Sequence, residues 1–265
     1  MALGRYGAYL NIISGIDSME KENFIYKELD IDGYNTLDTL SSADKFNKWM
    51  YQSIKPFLKG NIIEIGSGIG NITSQLINDK LKVTASDVSK NYCYLLKERF
   101  GKNYYINEVR NINIVHPDFD KEYHDLLGKF DSLFALNIIE HVEDDKLAIL
   151  NCIKLLNKNG HLVILVPGFP SLYNHLDREL NHFRRYTKFK IEGLLTKSDF
   201  KIVKTTYFNF IGILGWWFNG KILNKKTLPK RQMKLFNLLV PIFKIADRLI
   251  FYKAGLSLIT CGTKL

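Results

Sequence analysis

The segment Asn61-Ile62-Ile63-Glu64-Ile65-Gly66-Ser67-Gly68-Ile69-Gly70 constrains this chain more than any other. A β-branched run reads as a buried strand, and the glycines after it open a tight turn where backbone approaches a ligand that side chains would block. Periodic apolar residues beyond the turn read as a helix, so the unit is strand, glycine turn, helix, as at the nucleotide-facing edge of an open α/β sheet. Asp87 ends the next apolar run, where a carboxylate accepts hydrogen bonds from two ribose hydroxyls.

From there short β-rich runs alternate with helical patterns. Strands are predicted at 61–65, 82–86, 112–115, 131–136, 161–166, 201–207 and 256–262, and helices at 70–78, 89–99, 143–157 and 188–197. Such alternation predicts a doubly wound sheet with helices on both faces. Upstream, Phe46, Trp49, Met50 and Ile54 share one face of a helix that Pro56 closes. Downstream, residues 208–254 are helical in pattern, aromatic and basic, with nine Lys or Arg between Lys221 and Lys253 against Asp247 alone.

A chain of 265 residues, 46% hydrophobic, can bury a full core as one large domain or one domain with an appendage. Its net charge of +10 favours an anionic cofactor, substrate or surface, while a solvated basic face explains it without direct nucleic-acid binding. Cys93, Cys152 and Cys261 lack a disulfide or metal-ligand spacing and read as isolated thiols of a reducing, cytoplasmic compartment. No apolar run approaches the roughly 20 residues of a bilayer span. The basic aromatic segment leaves peripheral contact with lipid open, and the oligomeric state is open as well.

A dinucleotide fingerprint needs glycine at 71, where this chain has Asn71, and no Gly-Lys-Ser/Thr follows to cradle a triphosphate. A nucleoside still suits the turn. Farther on come Ile114-Val115-His116-Pro117-Asp118-Phe119, then the apolar run to Asn137, then Ile138-Ile139-Glu140-His141-Val142. Glu140-His141 is not read as a metal pair, because one adjacent pair supplies too few ligands, and no metal is expected.

Together these segments resemble the seven-stranded (class I) S-adenosylmethionine-dependent methyltransferases of small-molecule and natural-product type. The resemblance implies a Rossmann-like, seven-stranded doubly wound sheet, mostly parallel with an antiparallel final strand, with an N-terminal helical lid and a C-terminal helical cap. The expected divisions are 1–58 for the lid, 59–207 for the core, 208–254 for the inserted cap and 255–265 for the final strand. S-adenosylmethionine is the implied cofactor. Glu64 would orient the glycine loop or the methionyl end, Gly66 and Gly68 would allow close approach, and Asp87 would hold the ribose. Asp118, with Asp120 as competitor, would lie near the adenine amino group, and Ser67, Val88 and Asn137 complete the expected contacts.

The substrate side is expected in Pro167–Asp177 and Asn181–Thr187, since several small-molecule methyltransferases carry a similar Asp followed by His and Arg-Arg-Tyr. Asp177 would order the turn and Tyr173 would shape the pocket. Arg184, Arg185 and Tyr186 would contact substrate, with Tyr34 and Trp49 from the lid. The implied reaction is methyl transfer to an oxygen, with nitrogen as the lesser alternative, of a small molecule, lipid or modified peptide. A carboxylate acceptor needs positioning by Arg184 or Arg185, whereas a hydroxyl needs a base, His182 first and His141 second. The catalytic candidates are therefore His182, His141, Tyr173 and Arg185. Two other classes stay open: a nicotinamide-dependent oxidoreductase and a noncatalytic nucleotide- or lipid-binding module.

Overall fold

The computed structural model describes residues 39, 41–198, 200–225 and 230–265. Seven strands form one sheet in the order β3-β2-β1-β4-β5-β7-β6. They are β1 (Ile62–Ile65), β2 (Val83–Asp87), β3 (Ile106–Asn111), β4 (Phe130–Leu136), β5 (Leu156–Pro167), β6 (Phe200–Phe208) and β7 (Ser257–Lys264). The first five run parallel, and β7 lies antiparallel between β5 and β6. The strand order reverses between β1 and β4, which makes their carboxyl ends the topological switch point where such sheets bind ligands.

The two-residue period of the strands sorts the core into two layers. Ile63, Leu133, Leu162 and Ile164 face one layer. Their neighbours Ile62, Phe134, Val163 and Leu165 face the other. All four residues of β1 are buried, as a central strand covered on both faces requires. The layers are completed by helices α1 (Asp44–Ile54), α2 (Thr73–Asn78), α3 (Lys90–Phe100), α4 (Phe119–Glu122), α5 (Asp145–Leu155), α6 (His175–Glu179), α7 (Lys188–Thr196), α8 (Gly212–Trp217) and α9 (Lys230–Leu249). Side chains cap several of them: Asp144 Oδ1 accepts the Leu147 N–H at the start of α5, and Thr187 Oγ1 accepts the Lys190 N–H at the start of α7.

The expected amphipathic helix before β1 is α1, and a 3-10 turn, Lys55–Phe57, follows it at Pro56. Its Trp49 packs against Phe208 at the end of β6, and its Phe46 meets Phe236 of α9 edge-on. Asp247 of α9 is fully buried and accepts the backbone N–H groups of Asn209 and Phe210, which fixes α9 to the segment leaving β6.

The third strand corrects the sequence expectation. It occupies Ile106–Asn111, whereas residues 112–115 form irregular backbone whose Ile112 and Ile114 are buried in the core. As an edge strand only half buried, β3 carries the mixed pattern Ile-Asn-Glu-Val-Arg-Asn and lacks an apolar run. The predicted helix 143–157 is shorter, because Leu156 already pairs with Phe130 as the first residue of β5.

Candidate active site

The glycine turn is built by left-handed backbone. Gly66, Gly68 and Gly70 have φ of 75°, 53° and 83°, which residues with a Cβ adopt only with strain. At Gly66 a Cβ would also overlap the Ile138 side chain, so the turn and the segment leaving β4 close on each other.

Asp87, buried at the end of β2, bridges the glycine turn after β1 and the loop after β2. Its Oδ2 accepts the Gly68 N–H at 2.8 Å and its Oδ1 accepts the Ser89 N–H at 2.9 Å. Burial raises its carboxyl to about 6 despite those donors. Glu64, buried on β1, accepts from the Thr73 hydroxyl. Burial lifts it to about 7, against the Thr73 and Ser67 hydrogen bonds. Ser67 Oγ accepts the Ser86 N–H at 3.1 Å and Ser86 Oγ donates to the Glu64 carbonyl, so β1 and β2 are also tied through side chains.

Asn137, exposed at the end of β4 with φ of 55°, donates its N–H to Leu165 O. Val88 is half-buried beside Asp87. Asp118 is exposed just before α4, separated from the end of β3 by the buried stretch 112–114, so the residue ending β3 is Asn111. The Asn111 side chain donates to the carbonyls of Asp87 and Val88, a link the sequence reading did not include.

A carboxylate has about four lone-pair sites, and Asp87 spends two of them on the Gly68 and Ser89 N–H groups, so its remaining acceptor sites fit the hydroxyls of a ribose diol. A cleft of about 270 Å³ opens near the amino ends of β1, β3 and β4, lined by residues such as Arg110 and Asp125, and one of about 610 Å³ lies between α1 and α2, lined by residues such as Lys55 and Asp79. They lie away from the glycine turn, where the chemistry of the fold is expected.

On the other side of the switch point, the loops after β4 and β5 meet around Asp177. This fully buried carboxylate accepts Arg185 Nε at 2.8 Å and bonds His182 Nδ1 at 3.0 Å through Oδ1. Through Oδ2 it accepts the Asn174 N–H at 3.0 Å and Trp216 Nε1 at 3.2 Å. Burial opposes its ionisation, yet the His182 hydrogen bond and the Arg185 charge hold it below the usual carboxylate range. Arg185 is buried, donates from Nη1 to Gly168 O and lies over the Trp216 ring. Tyr173 donates its hydroxyl to His182 O.

Arg184 turns the opposite way, to Glu143 O and Asp145. Tyr186 is fully buried with its hydroxyl on Asp145, and that carboxylate, after burial, pushes the phenol far up. Trp49 is buried against Phe208, and Tyr34 lies outside the described residues.

The 3-10 turn Ile139–His141 after β4 is bolted to this loop, since the Phe183 N–H donates to Glu140 O. His141 meets His182 edge to face, with ring centroids 4.7 Å apart. Burial, reinforced by the neighbouring His182, drops His141 to about 3, which leaves it neutral with a free lone pair. Glu140 is fully buried, and burial lifts its carboxyl to about 8. Glu140, His141 and His182 thus form one cluster, which joins the adjacent Glu140-His141 pair to His182 from the loop after β5.

The sequence profile of a family described as "Methyltransferase domain" matches residues 63–162, from β1 into β5. Polyketide synthase PksR of Bacillus subtilis is 26% identical over 170 residues, which cover 60% of this chain and 6% of that protein. Ribosomal RNA small subunit methyltransferase A of Borreliella burgdorferi is 25% identical over 143 residues, 54% of this chain and 45% of that protein. The chain therefore spans less than half the length of these curated relatives. Among solved structures, phosphoethanolamine N-methyltransferase 2 of Haemonchus contortus, in complex with S-adenosyl-L-methionine, superposes with a TM-score of 0.55 at 17% identity, covering 86% of this chain and 57% of that one.

Proposed function

We propose that this chain, which has the seven-stranded fold of the class I methyltransferases, transfers a methyl group from S-adenosylmethionine to a hydroxyl oxygen of a small or lipid-borne acceptor. In this reading residues 59–207 act as core and 208–254 as a cap inserted before the final strand, 255–265, while most of the lid expected at 1–58 lies outside the described residues. Asp87 and Val88 hold the ribose end of the cofactor. Gly66, Ser67 and Gly68 give it backbone access, Glu64 and Asn137 flank its methionyl end, and Asn111 stands nearer the base than Asp118 does. The bound cofactor supplies a sulfonium methyl, and the acceptor oxygen gains the C–O bond as the C–S bond breaks, leaving a thioether and releasing the hydroxyl proton.

The observation that favours a hydroxyl is the use already made of the two arginines. Arg185 spends its donors on Asp177 and Gly168, and Arg184 is engaged with Glu143 and Asp145, so neither is set aside to clamp an acceptor carboxylate. His182, whose Nδ1 bonds Asp177, would take the proton at its other ring nitrogen in this reading. Calorimetry with S-adenosylhomocysteine tests the cofactor half: one site per chain is expected, and absence of binding would sink the assignment. Labelled donor with hydroxylated and carboxylated acceptor panels tests the other half. His182→Ala is expected to lower kcat on hydroxyl acceptors by about 10²–10⁴-fold, the usual worth of a positioned base, with cofactor affinity retained.

The outer face of α9 supports a membrane-surface setting for this reaction. Leu235, Leu238, Ile242, Ile245 and Leu249 recur at three- and four-residue spacing and are 56–73% exposed. Lys234, Lys244 and Arg248 accompany them on the same helix. No helix among the described residues is long and apolar enough to cross a membrane. An apolar stripe with basic neighbours suits an interface of anionic lipid, at about 1 kcal/mol per basic residue near the surface. The chain is expected to co-sediment with phosphatidylglycerol-containing vesicles and to lose that binding in Leu238→Glu/Ile242→Glu. Equal partition onto pure phosphatidylcholine, or self-association of the chain without vesicle binding, would refute the bilayer.

A further inference from the structure

We propose that Glu140, His141 and His182 bind one divalent transition-metal cation. One ligand atom from each residue lies within 4.8 Å of the other two. Glu140 is fully buried, and neither of its carboxylate oxygens has a hydrogen-bond partner on another residue. A buried polar group left this way is costly unless something coordinates it. The nearby guanidinium does not serve, because Arg185 directs Nε to Asp177 and Nη1 to Gly168.

The imidazoles carry the features of ligands. His182 is held through Nδ1 by the Asp177 carboxylate, which leaves Nε2 as its remaining ligand atom. A carboxylate behind a histidine fixes the tautomer, orients the ring and raises its basicity toward a metal. His141 packs edge-on against the His182 ring, with ring centroids 4.7 Å apart, and has backbone at Leu180 and Asn181 as its hydrogen-bonding surroundings.

Two imidazoles and one carboxylate suit zinc, iron(II), manganese or cobalt better than calcium or magnesium, which prefer oxygen shells. Three protein ligands leave at least one coordination position for water or another oxygen, as in metal sites that act on a substrate. This rests on the hydroxyl-methylation reading: with the ion bound, that position would take the acceptor oxygen and lower its pKa, the hydroxyl proton would pass to solvent water, and His182 Nε2 would serve as a ligand instead of as the base.

The test uses the full chain stripped with a chelator and titrated with Co²⁺, followed by visible absorption, with Zn²⁺ as competitor. One Co²⁺ per chain is expected, displaced by Zn²⁺, and Glu140→Gln and His182→Ala should each weaken it by about 10-fold or more, since even outer-shell changes cost 10–100-fold. Zn²⁺ should raise the Tm of the parent chain and not that of Glu140→Gln, while metal-free Glu140→Gln should melt no lower than metal-free parent. Absence of saturable Co²⁺ binding, or binding that both substitutions leave unchanged, would overturn the site. S-adenosylhomocysteine calorimetry on the same stripped protein separates the two claims. Cofactor binding without Co²⁺ binding removes the metal site alone, and Co²⁺ binding without cofactor binding removes the methyltransferase reading alone.

Discussion

Asp87→Asn is expected to weaken S-adenosylhomocysteine binding by about 10- to 100-fold, the equivalent of one lost hydrogen bond to a charged group at about 1.5–3 kcal/mol. The carboxylate accepts the Gly68 N–H on one oxygen and the Ser89 N–H on the other, so it holds the glycine turn and the start of α3 in one frame. An amide of the same shape offers one acceptor oxygen and turns an NH₂ group toward the second donor. The proposed ribose site then loses an anion, and the turn loses one of its anchors. Proton linkage gives this prediction a second readout. Asp87 and Glu64 sit at about 6 and 7 in the fold, above their ordinary carboxylate values, so folding favours their protonated forms. Their contribution to stability is full below about pH 4 and is lost as pH rises through 6 to 7. Ligand affinity, which needs Asp87 ionised, should move the other way and strengthen over the same interval. Thermal melts and calorimetry from pH 5 to about pH 8 should show these opposed trends in the parent chain. In Asp87→Asn the change in affinity should flatten. An unaltered pH profile in the variant would remove Asp87 from the ribose site.

The elements that were legible beforehand are those where local chemistry and tertiary demand coincide. β1 reads as a strand because all four of its residues are buried in a central position, and the turn after it needs the glycines that mark it. β3 was misplaced because an edge strand has no such demand. The apolar Ile112 and Ile114 beyond it are core residues on irregular backbone, and Asp118 inherited its expected role from that displaced strand end. Arg184 and Arg185 were legible as a charged pair but not in direction. Their side chains diverge, so one reaches Asp145 and the other enters the core beside Asp177 and Trp216. The partnership of Trp216 with Asp177, and that of His182 with Glu140 and His141, join segments far apart in the chain. No periodicity carries that information. It arises where the loops after β4 and β5 converge at the switch point.

Asp177→Ala should have the largest effect on stability, about 3–5 kcal/mol, the usual result of removing one partner from a buried ion pair. Asp177 is fully buried and serves four groups, namely Arg185, His182, the Asn174 N–H and Trp216. Alanine would strand the Arg185 charge in the core and leave the Asn174 N–H and the Trp216 indole without their acceptor. It would also undo the capping box at the start of α6, in which Asn174 and Asp177 exchange hydrogen bonds. Urea denaturation measures the loss directly, as a lower midpoint at an unchanged m-value. The double variant Asp177→Leu/Arg185→Met distinguishes a stranded charge from lost packing. Replacing both members of a buried pair with apolar residues is often neutral, so the double variant should recover part of the stability while the orientation of His182 stays lost. Recovered stability with kcat still depressed would identify Asp177 as a positioning residue for the His141–His182–Glu140 cluster. A loss below about 1 kcal/mol in Asp177→Ala, the scale of an exposed pair, would mean the network adds little to the fold.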